Sequence, residues 1–145
     1  MSTVNLADAT YIVRQGENRA AALRLIERDT DTVLKRQDIE SMSYTIFRRG
    51  TQRSIQMTTP TDEPVPGHID REIPVNESIR DDPQPDPFDG VAYNFLHIIR
   101  CVEDDGTDIT PFTEAGAVYD MVIRIFPFIG GKKYAMQRTI RIECE

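Results

Sequence analysis

Glu114-Ala-Gly-Ala-Val-Tyr119-Asp-Met-Val-Ile-Arg-Ile125 opens as a turn and continues as a strand. From Tyr119 onward, Met121, Ile123 and Ile125 alternate with Asp120, Val122 and Arg124. A period of two is the signature of a strand with one face in the core. Gly116 supplies the conformational freedom of a tight corner, and Tyr119 is the first inward-facing residue after it. In sandwiches with Greek-key connections, a tyrosine at the start of the penultimate strand folds its ring inward and bonds its hydroxyl back to the backbone of the corner. Gly116 and Tyr119 are therefore read as structural residues.

The same alternation recurs outward from this stretch. Tyr134, Met136, Arg138, Ile140, Ile142 and Cys144 form one face of a last strand, and Ala135, Gln137, Thr139, Arg141 and Glu143 the other. Gly130 and Gly131 supply the tight turn between the two strands, and Pro127 limits pairing at one end, so the strands are expected as antiparallel neighbours. Upstream, residues 93–102 are apolar on both faces and read as an interior strand ended by the turn-rich stretch Glu103-Asp-Asp-Gly-Thr-Asp108. Ser41–Phe47 alternates and is expected to pair with a strand over 54–58. Residues 9–13 suggest a short first strand followed by Gly16, and Asp38–Ser41 a single helical turn. Residues 18–29 carry helix formers, yet Ala21, Leu23 and Leu25 fit period two, and the spacing of the surrounding runs favours a strand.

A chain of 145 residues is expected to form one domain, which at this size buries roughly 68% of its unfolded surface. It has no apolar run of the roughly 20 residues that a membrane helix needs, so no membrane partner is expected. The first residues resemble no classical secretory signal, which predicts synthesis and assembly in the cytoplasm. A net charge of −7 argues against nucleic-acid partners, whose phosphates call for clustered Lys and Arg. Residues 58–90 hold nine acidic residues against two basic ones, which accounts for the whole of that charge. They also hold seven of the nine prolines, and proline removes ladder donors. The segment is read as a long acidic Pro-rich excursion with at most a brief edge strand around Glu72–Ile79, separable from the fold. It is either a solvated acidic excursion or a partner-binding arm, whose candidate residues are Asp62, Glu63, Asp70, Glu72, Asp81, Asp82, Asp86, Phe88 and Asp89.

Chemistry-bearing motifs are sparse. His68 falls in the Pro-rich segment and His97 inside an apolar strand, and there is no nucleophile elbow, phosphate loop or zinc-protease motif. No enzyme activity and no cofactor are expected. Cys101 and Cys144 lack metal-ligand spacing and leave two readings open, a pair of buried thiols or a disulfide. Calcium binding by Asp29 and Asp31, by the 81–89 acids or by the Glu103–Asp108 turn lacks EF-hand spacing, and these acids read as solvated turn residues.

The succession of Asp38-Ile-Glu-Ser41 leading into an early strand, a Pro-rich polar stretch, Tyr93-Asn-Phe95, and then Gly116-Ala-Val-Tyr119 resembles the immunoglobulin-like domains of tailed-phage structural proteins. The likeness runs from about residue 8 to 144. It implies an all-β, Ig-like antiparallel sandwich and a non-catalytic virion component, decorating the capsid or sitting at a neck, tail or baseplate junction. It further implies assembly in the host cytoplasm, binding to other particle proteins, and leaves self-association open. The resemblance concerns core and turn positions, so it carries no functional residues with it. The alternatives are a carbohydrate-binding or adhesion module, which the absence of Trp disfavours, and an accessory domain of a bacterial surface complex.

Overall fold

The computed structural model describes residues 9–17, 19–27, 32–50, 62–85, 92–129, 132–133 and 136–145. The expected strand over 54–58, the Gly130 and Gly131 turn, and Asp29, Asp31, Asp86, Phe88 and Asp89 lie outside them.

The fold is all-β and its two main sheets share one core. The strands are β1 (Ala9–Val13), β2 (Arg19–Leu23), β3 (Ile26–Glu27), β4 (Thr32–Val33), β5 (Ile39–Arg48), β6 (Glu63–Pro64) and β7 (Arg71–Glu72), then β8 (Ile79–Pro85), β9 (Ala92–Ile99), β10 (Val118–Ile129), β11 (Lys132–Lys133) and β12 (Met136–Cys144). One helical turn, α1 (Val75–Ser78), separates β7 from β8. The larger sheet runs β1-β12-β10-β5-β6, with β7 also on β5 and β11 on β10. The smaller runs β2-β9-β8, and β3 with β4 makes a separate ribbon.

The alternation read from β10 and β12 is the observed one. They pair antiparallel, with Tyr119 opposite Ile142 and Ile123 opposite Arg138. Tyr119, Met121, Ile123, Ile125, Ile140 and Ile142 are all buried. On its other side β10 pairs with β5, whose Met42, Tyr44 and Ile46 also face inward. The pairing shifts register between Phe126 and Pro127, where proline has no N–H for the ladder. β1 adds to β12 in parallel, with Tyr11 opposite Ile142. From the smaller sheet, Ala21, Leu23, Ile79, Phe95 and Ile99 complete the core.

Three expectations need correcting. The helical turn before β5 covers Arg36–Asp38 and Ile39 already belongs to the strand, because Asp38 turns its carboxylate back to the Lys35 amide at 3.0 Å. The strand read over 18–29 is split, β2 ending at Leu23 and β3 beginning at Ile26. The cause is Asn94, which is buried in β9. Its side-chain oxygen accepts from the Leu25 amide at 2.6 Å, and its nitrogen donates to the Leu25 and Leu34 carbonyls at 3.0 and 2.8 Å. Those backbone groups are satisfied by a side chain and not by a ladder, so the chain bends there.

The third correction concerns the Pro-rich segment. Residues 62–85 form β6, β7, α1 and β8, and they are not separable from the fold. Ile73 and Ile79 are core residues, and deleting them would open the core. The prolines restrict these strands to edges and short lengths. β6 and β7 extend the larger sheet beyond β5, α1 crosses between the layers, and β8 extends the smaller sheet beyond β9. The segment thus closes one side of the sandwich.

Candidate functional site

At the corner ahead of β10, Gly116 has φ of 87°, in the left-handed region that glycine tolerates without strain. Its amide donates to the Cys144 carbonyl at 2.8 Å, so the corner feeds directly into the β10–β12 ladder. Tyr119 is buried, and its hydroxyl oxygen accepts from the Glu114 amide at 3.3 Å. The Phe112 ring meets it edge-on, with centroids 5.2 Å apart. The tyrosine therefore ties the corner to the strand, as its position suggested. Arg48 braces the same region from β5, reaching Glu114 at 2.7 Å and Glu63 of β6 at 3.9 Å.

The side of the molecule closed by residues 62–85 gathers most of the polar chemistry. Behind it lies a cluster that the sequence reading did not foresee. His68 is wholly buried, its Nδ1 2.7 Å from the Tyr44 hydroxyl and its Nε2 2.6 Å from the Ile109 carbonyl oxygen. Since a carbonyl only accepts, Nε2 carries the proton, and the Tyr44 hydroxyl donates to Nδ1. The neutral ring is thus satisfied at both nitrogens. Gly67, just before it, has φ of 87°, and Ile109 packs directly against its Cα. From the opposite sheet the His97 ring comes within 5.3 Å of the Tyr44 ring. Arg71 and Glu103 form a forked ion pair beside the cluster, with Arg71 also donating to the Gly67 carbonyl at 3.1 Å.

These surroundings displace every titration in the cluster. Burial pushes the Tyr44 hydroxyl up to about 12. Burial, and then the Arg71 guanidinium and the His68 ring, hold His97 down at about 4. Burial also lowers His68, against the pull of its bond to Ile109. At neutral pH both imidazoles are uncharged, so the two sheets meet here through neutral rings.

The described partner-binding candidates line this side but do not form one compact patch. Asp62 and Glu63 lie at β6, Asp70 and Glu72 at β7, and Asp81 and Asp82 on β8, and all six are exposed. Asp62 accepts from the Gly50 amide at 3.2 Å, Asp70 from the Thr45 hydroxyl at 3.4 Å, and Asp81 from the Arg36 amide at 2.9 Å. The turn acids have structural partners too. Asp105 and Asp108 accept from the amides of Thr107 and Thr110, each at 2.9 Å, and Asp104 pairs with Arg100 at 2.7 Å. In the structure Cys101 and Cys144 are free thiols, Cys101 half-buried and Cys144 buried with its Sγ 3.8 Å from the Phe112 carbonyl. Among the described residues, no three His, Cys, Asp or Glu side chains gather to hold a metal ion.

A groove of about 560 Å³ opens between α1 and β9 on this side. Leu96, His97 and Ile98 form one wall, and Pro74, Glu77 and Ser78 the other.

No family model, curated protein or solved structure matches this chain. Sequence signals for the groove were nearly absent. By sequence His68 falls in the Pro-rich segment, and only its placement under β5 shows why a histidine stands there.

Proposed function

We propose that this chain is a non-catalytic, Ig-like structural domain of a tailed-phage particle, holding neighbouring particle proteins through the side closed by residues 62–85. The observation that carries the reading is the corner at Gly116-Ala-Val-Tyr119. The resemblance rests on that motif, and here its tyrosine hydroxyl bonds back to the Glu114 amide while its glycine takes positive φ. The other resembling positions also do core and turn work: Ile39 and Phe95 are buried, and Asp38 caps the turn before β5. Six exposed acids lie along β6, β7 and β8, and they give that side a negative character suited to a basic neighbour.

The test is quantitative mass spectrometry of purified particles from the phage that encodes the chain. A copy number near that of the shell protein indicates capsid decoration, a small symmetric number indicates the neck, tail or baseplate, and absence from the particle refutes the reading. Replacing Asp62, Glu63, Asp70, Glu72, Asp81 and Asp82 with their amides should leave the domain folded and lower its incorporation severalfold. Unchanged incorporation would remove the acidic side from the contact.

A further inference from the structure

The groove beside α1 follows the edge of a strand. Consecutive side chains of a strand point to opposite faces, yet Leu96, His97 and Ile98 all border it. A cavity that touches three successive residues lies alongside the strand and not over one face. The pairing explains the opening. Ile79 stands opposite Phe95, and the residues before Ile79 turn away as α1. Leu96–Ile99 therefore pair with β2 on one side, and among the described residues no strand pairs with them on the other. Four residues open on that one side offer about 13 Å of free edge.

The walls specify what would lie there. Leu96, Ile98 and Pro74 are apolar, and Ile98 is 57% exposed. Ser78 is only 3% exposed and borders the groove. The His97 ring is neutral and bonded to no described residue, leaving a donor and an acceptor beside the edge. The groove's arginines are already matched, Arg71 by Glu103 and Arg100 by Asp104. Glu72 and Glu77 have no ion-pair partner among the described residues and are its uncompensated charges.

We infer that this groove takes an extended, Lys- or Arg-bearing segment of a partner protein, which adds as a strand to the free edge of β9 with alternate aliphatic side chains against Leu96 and Ile98. Main-chain bonds to the edge give such a contact its affinity, and the pockets and charges beside it give its selectivity. The inference rests on the reading of the chain as a binding module and names the segment it binds. The competing role for the same charges is to blunt the edge against self-pairing.

The probe is the peptide Lys-Val-Lys-Val-Lys-Val-Lys titrated into the isotope-labelled full chain and followed by amide NMR and hydrogen exchange. Binding should shift the amides of residues 96–99 and newly protect the alternate ones, whose N–H groups face away from β2. Glu-Val-Glu-Val-Glu-Val-Glu, and the lysine peptide with a central proline, should each bind at least about tenfold more weakly, since one repels the wall and the other lacks a ladder donor. The double variant Glu72→Gln, Glu77→Gln, with its thermal midpoint unchanged, should lose about tenfold in affinity and much of its salt dependence. Equal binding of both peptide charges, or shifts elsewhere than β9, overturns the assignment. No binding at millimolar peptide does so as well and leaves the charges as edge protection. A chain found in particles but indifferent to the peptide defeats the groove alone, whereas one that binds the peptide but is absent from particles defeats the virion reading alone.

Discussion

Tyr119 shows how one atom joins two levels of structure. Its ring contributes to the core, as any inward residue of β10 would, and its hydroxyl holds the Glu114 amide of the corner. Replacing it with Phe keeps the ring and removes the acceptor. Tyr119→Phe should therefore cost about 1 kcal/mol in chemical denaturation, the usual net worth of one hydrogen bond. A value indistinguishable from zero would mean that water serves the Glu114 amide equally well. This residue was legible in the sequence because a local pattern, glycine followed by tyrosine at the head of an alternating strand, specifies it. His68 was not, since both its partners, Tyr44 and Ile109, are distant in the chain.

At the scale of elements, the long alternating strands declare themselves and the short ones do not. β10 and β12 pair along most of their length, and their inward residues recur every second position. β6 and β7 have two residues each, too few for any period to show, and are held by their neighbours. Between them the Val65 amide donates to the Ile46 carbonyl at 2.8 Å, and the Ile46 amide to the His68 carbonyl at 2.9 Å. Gly67 is the tight point of this connection. A Cβ there would lie 2.5 Å from Ile109 Cγ2, on a backbone with φ of 87°. Gly67→Ala should destabilise the domain by about 2 kcal/mol or more through clash and strain together. Gly116→Ala meets open space and suffers only the strain, so it should be the milder of the two in the same urea titration. The reverse order would show that the β6–β7 connection yields easily.

For the whole molecule, the meeting of Tyr44, His68 and His97 across the layers makes stability depend on acidity. Both histidines titrate below their ordinary 6.5 in the folded chain, His97 at about 4. In unfolded chains they take up protons near 6.5, so between that pH and about 4 the unfolded state binds more protons. Stability is therefore complete above pH 6.5 and declines as the pH falls toward 4, by up to about 3 kcal/mol from His97. Glu103, Asp104, Asp105 and Asp108 have lowered carboxyl values and add their own loss only at lower pH, below the ordinary 4.5 and 3.8 of such groups. The two windows are separable. Urea midpoints measured between pH 7.5 and 5 should fall in the wild type and fall less in His97→Phe, and parallel curves would refute the assignment to His97.

The strand character of β5, β9, β10 and β12, the corner at Gly116, and the concentration of acids and prolines between 58 and 90 are all written in the amino-acid order. Each follows from short-range rules: side chains alternate along a strand, glycine tolerates positive φ, and proline cannot complete a ladder. Where residues 62–85 go, the break that Asn94 makes in the second strand, and the opening of the β9 edge beside α1 emerge only on folding. Proline rules out a central strand but names no sheet edge, and Asn94 finds its partners 60 and 69 residues away. Contacts made across such separations follow from the packing of the two sheets on one core, which no local pattern encodes.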